Sequence, residues 1–189
     1  MTGHSFKMPK TTNKRDLILQ TALELFARHG YSGTSVSMIT TAAHVSKGLL
    51  YNFFERKEDL LREIMTIAFE DIKKSMAAYN TEKVPAKAIE AHIRATCKII
   101  KQHADFWRLI HSVRLQEGIA GVLMATYREI VSYVTAVFEK IFKKLGYNNP
   151  KLEALLFLSQ IDGMVILYLQ DDHTPIDKLA DQLIKRYNP

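Results

Sequence analysis

Cysteine is nearly missing from this 189-residue chain, where Cys97 stands alone. One thiol closes no intramolecular disulfide, and with no ligand cluster around it the residue reads as a small buried side chain. No uninterrupted apolar run approaches the ~18 residues of a spanning helix, and the N-terminus has no hydrophobic signal core. These absences lead us to expect a cytoplasmic protein without a membrane partner. No nucleophile sits beside a base, no glycine loop is built to cradle phosphates, and no metal ligands cluster, so neither catalysis nor a cofactor nor a metal is expected. His44 and Ser46 lie two residues apart across a turn, which the serine explains as a helix cap. Internal repeats and alternating strand patterns are also lacking. The chain reads as all-α.

Apolar residues make up 47% of the chain, enough to close a core over one domain or two closely packed ones. The net charge of +6 is concentrated. Between Lys7 and Lys57, eight cations (7, 10, 14, 15, 28, 47, 56 and 57) face three acids, Asp16, Glu24 and Glu55. A localised basic excess that coincides with a motif points to a polyanionic partner.

The motif is the stretch from Thr34 to Lys57, in which two short helical patterns are joined by a tight break. Ser46 is placed to cap the second, accepting from backbone N–H groups that a helix start leaves free. Leu50 and Phe54, four apart, give it a narrow apolar stripe. Lys47, Gly48, Leu49, Tyr51 and Asn52 occupy the rest of the short helix, supplying groups that read base edges and phosphates. Thr34 or Ser35 caps the preceding helix, whose inner face is Val36, Ile39 and Ala43. The arrangement is a helix-turn-helix with residues 46–53 as recognition helix. A first helix ends at His29 with Gly30 as its stop. Residues 1–13 read as a flexible basic arm, either a minor-groove contact or a frayed tail, with Met8 as an alternative start.

Ile18, Ala22, Leu25–Phe26 and Gly30, followed by Thr34–Ser35, Ile39, Ala42–Ala43, Val45–Ser46, Gly48, Leu50–Tyr51, Phe54, Lys57–Glu58 and Leu60, resemble in register the N-terminal domain of the TetR family of bacterial transcriptional regulators. The resemblance covers about residues 15–61. It implies that Tyr51 and Lys57 hold phosphates while Ser46, Lys47, Leu49 and Asn52 face the groove, with Thr34 and Ser35 donating to the backbone. Two departures stand out. His44 occupies a turn position usual for Gly, where a positive φ would cost a histidine a modest penalty, and Arg56 replaces the Ser or Asn that ordinarily caps the fourth helix.

The spacing predicts about nine helices, with the three-helix unit of residues 14–56 packed on a larger helical bundle of 57–189. Pro85 and Pro150 suit helix starts, and Thr174-Pro175-Ile176-Asp177 reads as a capping box. The eighth helix is apolar around nearly its whole circumference, so it lies centrally or is covered by a second subunit. The resemblance implies the latter for the last two long helices, with Leu155, Leu158, Asp162, Val165, Ile166, Leu179 and Leu183 as interface candidates. Asp162 is equally readable as a surface, interface or pocket residue. The family usually holds a ligand cavity among helices four to eight. By periodicity its candidates are Met65, Phe69, Ile100, His103, Phe106, Trp107, His111, Met124, Tyr127, Met164 and Tyr168, each readable as ordinary core instead. His103 and His111, eight apart, lack a third ligand in step, so a hydrogen-bonding or solvated role outranks a metal pair.

The expectation is a homodimeric regulator that binds a palindromic operator in double-stranded DNA and is released by a small apolar or bulky effector, hence a repressor. The alternative is an all-helical ligand-binding or assembly protein that no longer reads DNA specifically. Lys47, Tyr51 and Lys57 argue against it.

Overall fold

The computed structural model describes residues 13–80, 84–113 and 120–187, without the side chains of 78, 80 and 120–124. Most of the basic arm, Gly118 and the Met124 side chain lie outside the described residues. Among those described there are nine helices and no strands: α1 (Lys14–Gly33), α2 (Val36–Ala42), α3 (Lys47–Phe53), α4 (Lys57–Asn80), α5 (Pro85–Gln102), α6 (Ala104–Val113), α7 (Ala120–Lys144), α8 (Pro150–Gln170) and α9 (Ile176–Tyr187).

Local chemistry explains most boundaries. Side-chain oxygens of Asn13, Ser35, Ser46 and Asn149 each accept from a backbone N–H in the first turn they cap. Gly30 (φ 73°) and Gly146 (φ 82°) take the left-handed conformation where α1 breaks and α7 ends. Arg56 is no side-chain cap for α4. Instead Asp59 reaches back, its carboxylate accepting from the Arg56 backbone N–H at 2.9 Å, which supplies the second half of a capping box. The box expected at α9 is spent differently. The Thr174 hydroxyl donates to the Leu167 carbonyl, and Asp177 pairs with Lys101 of α5.

The chain divides into two compact units. One contains residues 13–72, 105–113 and 120–127; the other contains 73–80, 84–104 and 128–187. The N-terminal part of α4 therefore clusters with the helix-turn-helix. That first unit is centred on Ile18, Leu19, Ala22, Phe26, Ile39, Leu50, Leu60, Leu61 and Ile64, all without exposure. In the second, α5 lies along α9 and α8 packs on both. Its centre is aromatic: Phe138 stands 4.7 Å from Phe157, and Phe142, Tyr187 and His92 join them. Cys97 is buried in α5, as its isolation suggested, and burial pushes its thiol up.

By length and composition alone α8 is apolar enough to cross a membrane, though Glu153, Gln160 and Asp162 interrupt its apolar run. It buries Ala154, Phe157, Ile161, Met164 and Val165 in its own unit and carries Glu153 and Asp162.

His92 lies 4.8 Å from the Phe138 ring, with Phe157 and Tyr79 at 6.1 and 5.9 Å. Desolvation there depresses its pKa to about 4. The unfolded imidazole titrates near ~6.5, so the unfolded chain binds more protons between these values. Stability is then lost as pH falls from about 6.5 towards 4, by up to about 3 kcal/mol. Urea midpoints at pH 7 and 4.5 should show this loss in the wild type and much less of it in His92→Phe.

Candidate nucleic-acid interface

The α2–α3 pair stands on α1 through Ile39, Leu50 and Phe54, all buried. Arg15 covers the Phe54 ring from 5.1 Å and pairs with Glu63 of α4. This support orients α3. With Leu50 and Phe54 held inward, Lys47, Gly48, Tyr51 and Asn52 are exposed and Leu49 is half-buried. Ser46 is exposed too, but its hydroxyl accepts from the Leu49 N–H at 3.1 Å, so it caps the recognition helix.

Gly48 is informative. Its backbone is helical, and an added Cβ would meet only the Ser46 hydroxyl, at 3.9 Å. Nothing in the protein requires a glycine here, and a helical glycine costs about 1 kcal/mol relative to alanine. Its bare backbone leaves room for close approach by an external surface. Gly48→Ala is accordingly expected to stabilise the protein by about 0.5–1 kcal/mol while weakening DNA binding, checked by thermal melting beside a DNA titration.

His44 holds φ 51° in the turn, the one positive-φ non-glycine residue among those described. The strain inferred from sequence is therefore present. His44→Gly should raise stability by about 0.5–1 kcal/mol, visible as a higher Tm.

Two candidates from sequence turn inward. Thr34 is 1% exposed, and its hydroxyl faces the Gly30 and Leu25 carbonyls at 2.8 and 3.1 Å. Buried this way it joins α1 to α2 and presents no donor to a phosphate. Ser35 beside it is exposed, with its oxygen accepting from the Met38 N–H. Lys57 places its ammonium 2.9 Å from the Tyr31 carbonyl and 2.8 Å from that of Thr34, above the Tyr31 ring. Burial lowers its pKa, and it raises that of the Tyr31 phenol. Phe53, 40% exposed beside Phe54, was missed. Three residues after Leu50 it has the phase of a core position, yet it stands exposed.

The effector candidates fall in both units. Met65, Phe69 and Phe106 are buried and Trp107, His111 and Tyr127 half-buried in the first; Ile100 and Met164 are buried and His103 and Tyr168 half-buried in the second. The Trp107 ring meets Phe106 edge-on at 5.4 Å, and its indole nitrogen is buried without a hydrogen-bond partner. Of the interface candidates, Leu155 is exposed while Leu158, Asp162, Ile166 and Leu179 are half-buried. Val165 and Leu183 point into their own unit at 4% and 7% exposure, which removes them from any outer face. Leu152, Leu156 and Leu167, absent from the candidates, are 50–53% exposed.

Residues 18–64 match the family model described as bacterial regulatory proteins, tetR family. The chain is 26% identical over 179 residues to the uncharacterised HTH-type transcriptional regulator YhgD of Bacillus subtilis, covering 88% of this chain and 89% of that one. Its fold is similar to that of the fatty acid degradation regulator FadR from Bacillus halodurans, with a TM-score of 0.80 at 19% identity over 94% of this chain and 96% of the other. FadR from Bacillus subtilis, solved in complex with stearoyl-CoA, gives a TM-score of 0.75 at 18% identity over 90% and 96%. At such identities these two likenesses speak for the fold alone. Residues 18–64 thus form a helix-turn-helix of the kind described for bacterial regulatory proteins of the tetR family, in a chain similar along nearly its whole length to an HTH-type transcriptional regulator.

Proposed function

We propose that this DNA-binding regulator works as a homodimer that holds a palindromic operator and lets it go when an apolar or bulky small molecule binds, and so as a repressor. The observation carrying the DNA part is the outer face of α3, where Lys47, Tyr51 and Asn52 surround a glycine that the protein's own packing does not need. Lys47 and Asn52 offer donors to base edges, Tyr51 and Ser35 hydroxyls to phosphates, and Leu49 with Phe53 an apolar surface for thymine methyls.

The dimer reading is supported by the exposed stripe Leu152, Leu155, Leu156 and Leu167 on α8. Leucines at helical spacing on a wet face are covered favourably by the same stripe of a second copy, related by a twofold axis. Such an axis suits two α3 helices reading half-sites about one DNA turn apart. Support for the ligand class comes from the apolar and aromatic side chains within each unit and from the stearoyl-CoA held by the Bacillus subtilis FadR. A ligand that prefers one arrangement of the dimer shifts the population by its differential affinity.

The test is selection of bound duplexes from a random pool at stated salt. A palindrome with fixed half-site spacing is expected; no enriched sequence would sink the operator reading. Stearoyl-CoA is then titrated into the complex, and DNA affinity unchanged at saturation would reject a long-chain acyl-CoA as effector.

A further inference from the structure

The ammonium of Lys57 has three N–H donors, and the structure surrounds it with three partners. The Tyr31 carbonyl lies at 2.9 Å, the Thr34 carbonyl at 2.8 Å and the Tyr31 ring centroid at 4.2 Å. All belong to the joint between α1 and α2, while Lys57 is the first residue of α4. The joint is tied from within as well, because the Thr34 N–H donates to the Tyr31 carbonyl. Ser35, the next residue, caps α2, and α2 packs on α3. An ammonium held this way must break one of its contacts to reach a phosphate.

We infer that Lys57 is a positioning residue for DNA binding: it pins the α1–α2 joint to the start of α4, thereby setting where Ser35 and the recognition helix stand, and it does not pair with a DNA phosphate. This rests on the chain's DNA-binding function.

Charge and geometry can be separated. Lys57→Arg keeps the charge but cannot seat a planar guanidinium on two carbonyls and a ring face in the ammonium's place; Lys57→Met keeps the stem and loses both. Binding is measured across salt on the duplex selected from the random pool and on a mixed-sequence 30-base-pair duplex. Positioning predicts that both variants lose tenfold or more in affinity for the selected duplex, with the salt slope of the wild type. A phosphate contact predicts that Arg stays within about threefold while Met flattens the slope by about 0.9 per half-site, and that result overturns the inference. Circular dichroism establishes that each variant is folded. Should one not fold, the wild type still decides through its lysine 15N–1H ammonium spectrum in the cold. A slowly exchanging signal, shielded by the Tyr31 ring and unmoved by added duplex, supports the clamp; its absence, or its shift on DNA binding, overturns it. A wild type that binds neither duplex would count against the regulator reading, while the ammonium signal would still report on the clamp.

Discussion

Leu156→Glu is expected to convert the proposed dimer to monomers and to abolish tight operator binding. Leu156 is 50% exposed on α8, so glutamate there harms the folded monomer little. In an interface related by a twofold axis the substitution appears twice, bringing two like carboxylates onto an apolar face with no cation supplied. Burying an unpaired charge costs on the order of 3–5 kcal/mol, so the dissociation constant should rise roughly a thousandfold. Mass photometry or sedimentation gives the oligomeric state, and titration of the full palindrome against a single half-site gives the functional consequence. Binding to the palindrome should fall to that of the half-site. A variant that stays dimeric would show that the exposed leucines of α8 are not the contact.

Asn52→Ala and Lys47→Ala are expected to change which DNA sequence is preferred, whereas Tyr51→Phe should weaken binding to all sequences alike. Asn52 and Lys47 stand exposed on α3 with donors free to meet base edges, and Tyr51, 50% exposed, offers a hydroxyl suited to a phosphate. A base contact is worth about 1–3 kcal/mol of discrimination, and a dimer spends it at both half-sites. The preferred base at one position of each half-site should therefore relax by tenfold or more. Repeating the random-pool selection with each variant checks this. A uniform loss from all three would mean that another face of the motif reads the bases.

Much of this was legible without coordinates because it is local. Helix starts at Ser35, Ser46 and Asn149 follow from short polar side chains that satisfy orphan N–H groups. The stops at Gly30 and Gly146 follow from backbone freedom, and the outward face of α3 follows from Leu50 and Phe54 being four apart. His44 was legible as a strained turn residue for the same reason.

What the tertiary structure decided concerns side chains whose partners come from distant segments. Thr34 reads as a surface cap until Leu25 and Gly30 are seen to present their carbonyls to it. Lys57 reads as a phosphate ligand from sequence, which cannot show that a joint 23 to 26 residues away holds its ammonium, since a flexible four-carbon stem leaves the direction of its charge undetermined. On α8, apolar around its circumference, periodicity is silent about which leucines are covered. Packing of α5 and α9 turned Val165 inward and left Leu152, Leu156 and Leu167 in water. Sequence by itself determined the helices, most of their caps and the outward face of α3, because those depend on neighbours within a turn or two. Only the assembled helices determined which polar groups are already satisfied and which apolar ones still lack a cover, because burial depends on whatever else packs alongside.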